Sequence, residues 1–422
     1  MSAIETVMLV CTDAIANNNK FWEGSLLPNG DVVCRWGRVG AAGQSKTFSG
    51  AGAAFLAKKA AEKRRGGYSE VNVVGSGTKS SVEAATAQAV KKQIESSGDP
   101  LIDALLERLV KENRHEIFRI SGGQINVSAD GVVSTPVGVI DAGSIRAARE
   151  VLKQLAQSHA SRDFSSNAFI GSLEQYLTLV PQKVAARRGW HTTFLSADDA
   201  ITRQSSFLDQ LEASIELATQ VTAQDPAVPK VFDVKLELIE GGAEWKAIEK
   251  YFRESLNSRH VSSRLKPVRA YRVNIASMAR AFDEDGRKVG NIQRLWHGTR
   301  AYNVLSILKQ GLIVPKSGGS YSITGRMFGD GLYFSDQSSK SLNYSMGYWD
   351  GGSYDSNCFM FLADVAMGRA FTPQGHEQRR QLPARGHDST FAKAGVSGVQ
   401  NNEMIVYRTG QANLTTLVEF GA

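Results

Sequence analysis

Residues 295–344 read LWHGTRAYNVLSILKQGLIVPKSGGSYSITGRMFGDGLYFSDQSSKSLNY, and four side chains in this stretch could act on one small ligand. His297 offers an imidazole, Tyr333 and Tyr344 offer phenols, and Ser341 offers a hydroxyl. They come from separate segments, and Gly298 and Gly331 lie close to them in the chain. Glycine lacks a Cβ, so the backbone beside it lets a flat ligand approach closely. Such a set suits a slot for an aromatic carboxamide.

The elements that must hold these groups follow from the spacing of apolar residues. Leu295-Trp296 is a buried-type pair leading into His297-Gly298-Thr299. Val304, Ile307 and Leu308 then mark one face of a helix that Gly311 closes. A glycine-rich loop runs to Gly331-Leu332-Tyr333-Phe334, and Ser339-Lys340-Ser341 opens a second helix carrying Tyr344. Upstream, Phe232, Val234, Leu236 and Leu238 alternate with Asp233, Lys235 and Glu237, which predicts a half-buried strand. Trp245, Ile248, Phe252 and Leu256 predict a helix, and Tyr271, Val273 and Ile275 another strand. Further strands are expected at Phe359–Val365, Glu403–Tyr407 and Leu414–Phe420. Many strands with few helices argue for antiparallel sheets over a doubly wound fold.

The HGT triplet, the GLYFSD…SKSLNY run and Asn402-Glu403 ahead of a strand resemble the signature of the poly(ADP-ribose) polymerases. The resemblance implies an ADP-ribosyltransferase fold with a His-Tyr-Glu triad that cleaves NAD, here His297, Tyr333 and Glu403. It also implies that the Gly298 backbone and Ser341 hold the nicotinamide amide, with Thr299 beside them. Tyr344 would stack on the ring, Tyr333 would form the opposite wall, and His297 would bind the adenine-side ribose. Glu403 would polarise the nicotinamide ribose and the incoming acceptor, and Lys340 would act on the acceptor side. Breaking the glycosidic bond of NAD builds positive charge on the ribose, as in glycoside hydrolysis. A carboxylate there acts first by electrostatics and second as a base towards the acceptor. Taken singly, His297 fits a structural histidine, the tyrosines fit core aromatics and Glu403 fits an edge charge; their order is what argues for a site. Ile313 stands where relatives often carry an arginine near the adenosine, Arg326 and Asp330 make the donor loop more charged than usual, and the run 388–402 is short. The remaining histidines, His376 and His387 among them, fit no motif.

The amino-terminal stretch predicts a small sheet with one helix. Val7–Val10 and Phe21–Leu27 read as strands, Pro28-Asn29-Gly30-Asp31 as a turn, and Val32–Val39 as the returning strand. Ala51–Arg65, anchored by Phe55 and Leu56, is a helix stopped at Gly66-Gly67. Trp36-Gly37-Arg38 lies in the returning strand, where Trp36 fits a core aromatic as well as a stacking surface. With Lys20 and Arg35 before it and Lys46 after it, the arrangement resembles the WGR domain, which implies a grip on DNA ends or nicks. An indole can stack on an exposed base or sugar while Arg and Lys meet phosphates. The glycines from Gly37 to Gly43 sit between strands and so make no dinucleotide fingerprint, and the 77–80 stretch lacks the first glycine of a P-loop.

Between these ends the pattern is helical. Ile102, Leu105, Leu106 and Leu109 share one face; Ile145, Ala148, Leu152 and Leu155 share another after a cap at Gly143-Ser144. Phe169, Leu173, Tyr176, Leu177 and Val180 make a third, ended by Pro181, and a last helix over about 199–219 buries Leu208, Leu211 and Ile215. Asp209, Glu212 and Glu216 lie on that helix's other side, and Ile117–Val133 alternates like a hairpin inserted in a plain bundle. Thr135–Gly138, Leu179–Pro181 and Ala197–Asp199 resemble the helical regulatory domain of DNA-dependent polymerases, which implies a cover over the NAD site that DNA loosens. The expected organisation is therefore a multidomain α+β chain. It has a WGR-like β-sheet-plus-helix domain at 1–78, a linker at 79–97, an all-α helical bundle at 98–226 and an antiparallel-sheet ADP-ribosyltransferase domain at 227–422, entered from an Asp225–Pro229 linker.

Composition sets the remaining bounds. The length of 422 residues predicts two to three domains. No apolar run approaches the roughly 18 residues of a membrane span, and the first residues do not read as a signal peptide. Cys11, Cys34 and Cys358 are far apart, so neither a metal site nor a disulfide framework is expected. Net charge is +7, and residues 1–95 hold 12 Lys and Arg against 8 Asp and Glu, which favours a polyanion or simply a solvated basic face. The expected protein is an intracellular, soluble monomer, nuclear in a eukaryote or cytoplasmic in a bacterium. Its expected substrate is NAD and its partners broken DNA and protein acceptors including itself. The leading reading is a DNA-break-activated poly(ADP-ribose) polymerase. A mono-ADP-ribosyltransferase or NAD-hydrolysing enzyme of the same fold is the alternative, against which retention of Glu403 counts; a non-catalytic DNA-binding relic is the third.

Overall fold

A computed structural model describes residues 3–39, 43–70, 90–96, 98–123, 125–127, 133–135, 138–222, 231–314, 327–350, 354–375 and 382–422. The 77–80 stretch, residues 79–89 and 97 of the connector, Pro136-Val137, the Asp225–Pro229 linker, Arg326 and His376 lie outside them. The chain divides into two compact units, residues 1–86 with 114–224 and residues 87–113 with 225–422.

In the first unit β1 (Glu5–Asp13), β2 (Asn18–Leu26), β3 (Val32–Arg38), β4 (Gln44–Phe48) and β5 (Ser69–Glu70) form an antiparallel sheet in the order β4-β3-β2-β1-β5. The β2–β3 turn closes through the Leu27 amide on the Asp31 carbonyl at 2.9 Å, with Gly30 at φ 81°, a value that favours glycine. Alternation gives the sheet two faces. Leu9, Trp22, Leu26, Val32 and Cys34 pack with Leu56 and Ala60 of α1 (Gly52–Arg65), and Met8, Val10, Phe21 and Val39 cluster separately.

Helix α2 (Pro100–Ile120) gives its residues up to Asn113 to the second unit and the rest to the first. The hairpin expected over Ile117–Val133 starts later than predicted. The helix continues through the fully buried Ile117, and Ser121 ends it by donating to the Phe118 carbonyl and accepting from the Ile125 amide at 2.9 Å. A three-stranded sheet then follows: β6 (Asn126–Val127), β7 (Val133–Thr135) and β8 (Gly138–Val139). Helices α3 (Ala142–Ala160), α4 (Asn167–Leu179) and α5 (Ala200–Thr222) share a core that includes Ile145, Leu155, Phe169, Tyr176, Leu208 and Leu211. The cap of α3 is Asp141, whose carboxylate accepts from the Ser144 amide at 2.6 Å, and not Gly143-Ser144 as the sequence suggested. The acidic side of α5 is only partly solvated, since Asp209 and Glu212 both pair with Arg149 of α3, at 2.6 and 2.8 Å.

In the second unit, residues 90–96 do more than connect. Val90 and Ile94 are buried, and Glu95 pairs in parallel with Lys235, its amide on the Val234 carbonyl at 2.9 Å. From there run β9 (Val234–Leu238), α6 (Gly242–Glu254), β10 (Lys266–Ile275), β11 (Ile292–Gly298), α7 (Ala301–Gln310), β12 (Leu332–Phe334), α8 (Ser338–Met346), β13 (Cys358–Ala366), β14 (Ala370–Phe371), β15 (Ser389–Ala392), β16 (Glu403–Val406) and β17 (Ala412–Gly421). They form sheets in the orders β11-β13-β17-β10-β9 and β12-β16-β15-β14, antiparallel except for the β14–β15 pair. β13 lies inside its sheet, with eight of its nine residues buried, so it reads as a continuous apolar run. The two sheets are stitched where Trp296 and Ser335 exchange backbone bonds of 2.9 and 3.0 Å. That stitch places the end of β11 against the end of β12.

Candidate active site

His297 is the penultimate residue of β11, held by pairing with Phe361 of β13. Its Nδ1 lies 3.0 Å from the Tyr333 carbonyl oxygen, which can only accept, so Nδ1 carries the proton and Nε2 presents a lone pair. Burial pushes the imidazole below its ordinary pKa, opposed by that hydrogen bond. A neutral ring that accepts at Nε2 suits a ligand hydroxyl.

Gly298 follows, and here only glycine fits. A Cβ would stand 1.8 Å from the Ser341 carbonyl oxygen, so β11 and α8 touch backbone to backbone. Ser341 is buried and donates to the Trp296 carbonyl at 3.2 Å, while the Thr299 amide donates to Ser345 Oγ at 3.2 Å. Tyr333 pairs with Ile405 of β16, and its phenol donates to the Gly329 carbonyl at 2.9 Å and accepts from the Phe328 amide at 3.1 Å. Tyr344 remains 40 % exposed, and partial burial, with the Glu403 carboxylate second, pushes the phenol up to about 12. It stays a neutral aromatic face at neutral pH.

Glu403 opens β16 and receives Lys340 Nζ on Oε1 at 2.7 Å. The two side chains are only 14 % and 12 % exposed. Lys340 also donates to the Asn402 carbonyl at 3.1 Å. Burial lowers the pKa of this lysine, and Glu403 and then Asp336 work against that shift. Sequence reasoning named neither Asp336 nor the role of Asn402, whose amide donates to Asp336 Oδ2 at 2.8 Å. A cleft of about 630 Å³ opens beside Asp336, Gln337, Asn257 and Tyr251. Among the described residues no group of His, Cys, Asp and Glu could hold a metal ion, and no helix is long and apolar enough to cross a membrane. The site residues predicted for the carboxy-terminal half thus gather on β11, β12, α8 and β16 of one unit.

The five residues predicted for nucleic acid do not share one surface. Across the antiparallel register Lys20 faces Arg38, Trp22 faces Trp36 and Cys34 faces Lys46, so Lys20, Trp36, Arg38 and Lys46 rise from the face that carries α1. Trp36 is half-buried against that core. Arg35 points from the other face, where its guanidinium pairs with Glu23 at 2.6 Å and covers the Phe21 ring at 4.9 Å. Arg38 also donates to Asn17, at 3.0 Å, and lies 3.5 Å from the Ala185 carbonyl in the same unit.

Comparison with known proteins gives two domain matches. Residues 242–421 match the poly(ADP-ribose) polymerase catalytic domain, and residues 5–74 match the WGR domain. Human protein mono-ADP-ribosyltransferase PARP3 is 27 % identical over 418 residues, covering 89 % of this chain and 74 % of its own. The fruit-fly poly [ADP-ribose] polymerase is 29 % identical over 246 residues, 55 % of this chain and 23 % of its own. Chicken poly [ADP-ribose] polymerase 1 is 25 % identical over 321 residues, 67 % of this chain and 30 % of its own.

Proposed function

This chain belongs to the poly(ADP-ribose) polymerase family and is an NAD ADP-ribosyltransferase, and from that premise we propose that broken DNA switches on the transfer of ADP-ribose to protein acceptors, itself included, followed by chain elongation. The observation that supports the transfer chemistry is that Glu403 is held by Lys340 at 2.7 Å at the start of β16, while β12, the strand paired with β16, holds the His297 imidazole through the Tyr333 carbonyl at 3.0 Å. The Gly298 backbone and Ser341 hold the carboxamide, with Thr299 beside them, and Tyr333 and Tyr344 form the two walls of the nicotinamide slot. His297, through its free Nε2, takes the adenine-side ribose hydroxyl. Glu403 stabilises the charge that grows on the nicotinamide ribose as the glycosidic bond breaks, and nicotinamide departs with the bonding electrons. It then accepts the proton of the incoming hydroxyl. Lys340 fixes the rotamer of Glu403 and is supplied with an acceptor through the Asn402 carbonyl.

The sheet formed by β1 to β5 is the DNA-binding part, with Trp36 stacking and Lys20, Arg38 and Lys46 meeting phosphates. Among the described residues the helices within 98–226 carry no candidate catalytic group, which supports a regulatory role. A second reading is transfer of a single ADP-ribose unit. It is favoured by the broader coverage of the relative named a mono-ADP-ribosyltransferase than of those named polymerases. Incubating the full chain with labelled NAD, with and without nicked DNA, separates the readings. A ladder that needs DNA is expected; a single shifted band would select transfer of one unit, and equal labelling without DNA would remove the switch.

A further inference from the structure

We infer that Asp336 and Asn402 are positioning residues for the transfer reaction, a knot that holds Lys340 and Glu403 in place relative to His297 and Tyr333. The inference rests on the reading of Glu403 given above. The Asn402 side chain is fixed at both ends: its amide donates to Asp336 Oδ2 at 2.8 Å, and its Oδ1 accepts from the Ala394 amide at 3.0 Å. A side chain bound at two points fixes the orientation of its own peptide. The carbonyl of that peptide accepts from Lys340 Nζ at 3.1 Å and from Ser335 Oγ at 3.2 Å. Lys340 reaches from there to Glu403, the very next residue, at 2.7 Å.

The other end of the knot is equally tied. Ser335, the neighbour of Asp336, exchanges both backbone bonds with Trp296, one residue before His297, and it directly follows β12, which carries Tyr333. Its hydroxyl also accepts from the Gln337 amide at 3.1 Å, which sets the entry to α8 three residues before Lys340. The Asp336–Asn402 bond therefore ties the end of β12, the strand of Tyr333, to the start of β16, the strand of Glu403, and the Ser335–Trp296 pair ties both to β11, the strand of His297. Misplacing a reacting group by about 1 Å can cost on the order of a hundred-fold in rate, so such a brace matters for turnover more than for ground-state binding.

The test measures nicotinamide release by the full-length chain, as kcat and KM for NAD, in Asp336→Ala, Asp336→Asn, Asn402→Ala and the Asp336→Ala/Asn402→Ala pair. Asparagine at 336 can still accept from the Asn402 amide. We expect each alanine variant to lose about ten-fold or more in kcat with KM within about three-fold, and Asp336→Asn to stay within about three-fold of the parent. The double variant should be no worse than the poorer single one, as for two groups acting through one bond. Unchanged kcat in the alanine variants, equal loss in Asp336→Asn, or additive losses in the pair would each overturn the proposal. If one alanine variant fails to fold by circular dichroism, the other together with Asp336→Asn decides. A parent chain that releases no nicotinamide would instead overturn the reading of Glu403 itself.

Discussion

The catalytic half and the amino-terminal sheet both carry a short motif, but they prepare their side chains in opposite ways. In the catalytic half His297, Ser341, Lys340 and Glu403 are largely removed from water, and His297, Lys340 and Glu403 are held by hydrogen bonds that fix a tautomer or a rotamer. Polar groups withdrawn from water and already oriented need no reorganisation when charge develops, which is what bond cleavage in NAD requires. In the sheet, Lys20 and Lys46 stand exposed, Trp36 is half-buried, and the paired Arg35 faces away from them. On the reading proposed above, such a face gains its binding energy when a polyanion arrives and counterions leave, so it needs charge on one side more than fixed geometry. Chemistry here is built in advance; recognition waits for its partner.

The contrast breaks most easily at Gly298. Replacing it with alanine puts a Cβ 1.8 Å from the Ser341 carbonyl and forces β11 and α8 apart. We expect binding of a non-hydrolysable NAD analogue to be lost by calorimetry, and unfolding free energy to drop by about 1–3 kcal/mol or more, as for overpacked cores. An alanine variant that binds and melts like the parent would remove the close contact from the account.

A smaller effect is expected at Lys340. This ammonium faces Glu403 and Asp336, which favour its charge, but burial outweighs them and lowers its pKa. Its charged form is therefore lost on raising the pH before the ordinary lysine value of about 10.4 is reached. The alkaline limb of kcat should fall below that value, and Lys340→Met should abolish this limb while lowering kcat about ten- to a hundred-fold. His297 works at the other end of the scale. Its folded pKa is depressed, so the folded chain resists a proton that the unfolded chain accepts, and stability should decline as the pH falls through about 6.5. A melting temperature flat between pH 7 and pH 5, with His297→Gln behaving identically, would contradict that placement.

The smallest effects belong to the sheet. Trp36→Ala should weaken binding of nicked DNA by about 1–3 kcal/mol, and Arg38→Ala should weaken it and reduce the salt slope by about one. Arg35→Ala should leave the slope unchanged, because that guanidinium serves Glu23 and Phe21 on the opposite face. If Arg35→Ala and Arg38→Ala weaken DNA binding equally, the assignment of the binding face is wrong.

The same contrast explains what the sequence made legible. Period-two and period-3.6 patterns placed the strand around Val273 and the helices around Leu155 and Leu173, because each buries a face that its own residues announce, and the unbroken apolar run around Leu362 placed β13, which is buried on both faces. The gathering of His297, Tyr333, Ser341, Tyr344 and Glu403 followed from their motif. The brace between Asp336 and Asn402 did not, because 66 residues separate them and only the β12–β16 pairing brings them together. The Asp141 cap was hidden for a local reason: an acid, a glycine and a serine within four residues offer competing caps. Nor did the connector announce that Glu95 pairs with Lys235, since a single bridge leaves no period to detect. Arg35 is the instructive case. Alternation within β3 sets it on the opposite face from Cys34 and Trp36, yet proximity in the chain grouped it with Arg38.

The central claim is that Glu403 serves bond cleavage and not the holding of NAD, and Glu403→Gln tests it most directly. In one preparation, nicotinamide release and the affinity for a non-hydrolysable NAD analogue would be measured for the parent and the variant. The account predicts release reduced by about 10²–10³-fold, the cost of removing one such electrostatic group, with analogue affinity within about three-fold. Release at the parental rate, or affinity falling in step with it, would contradict the account.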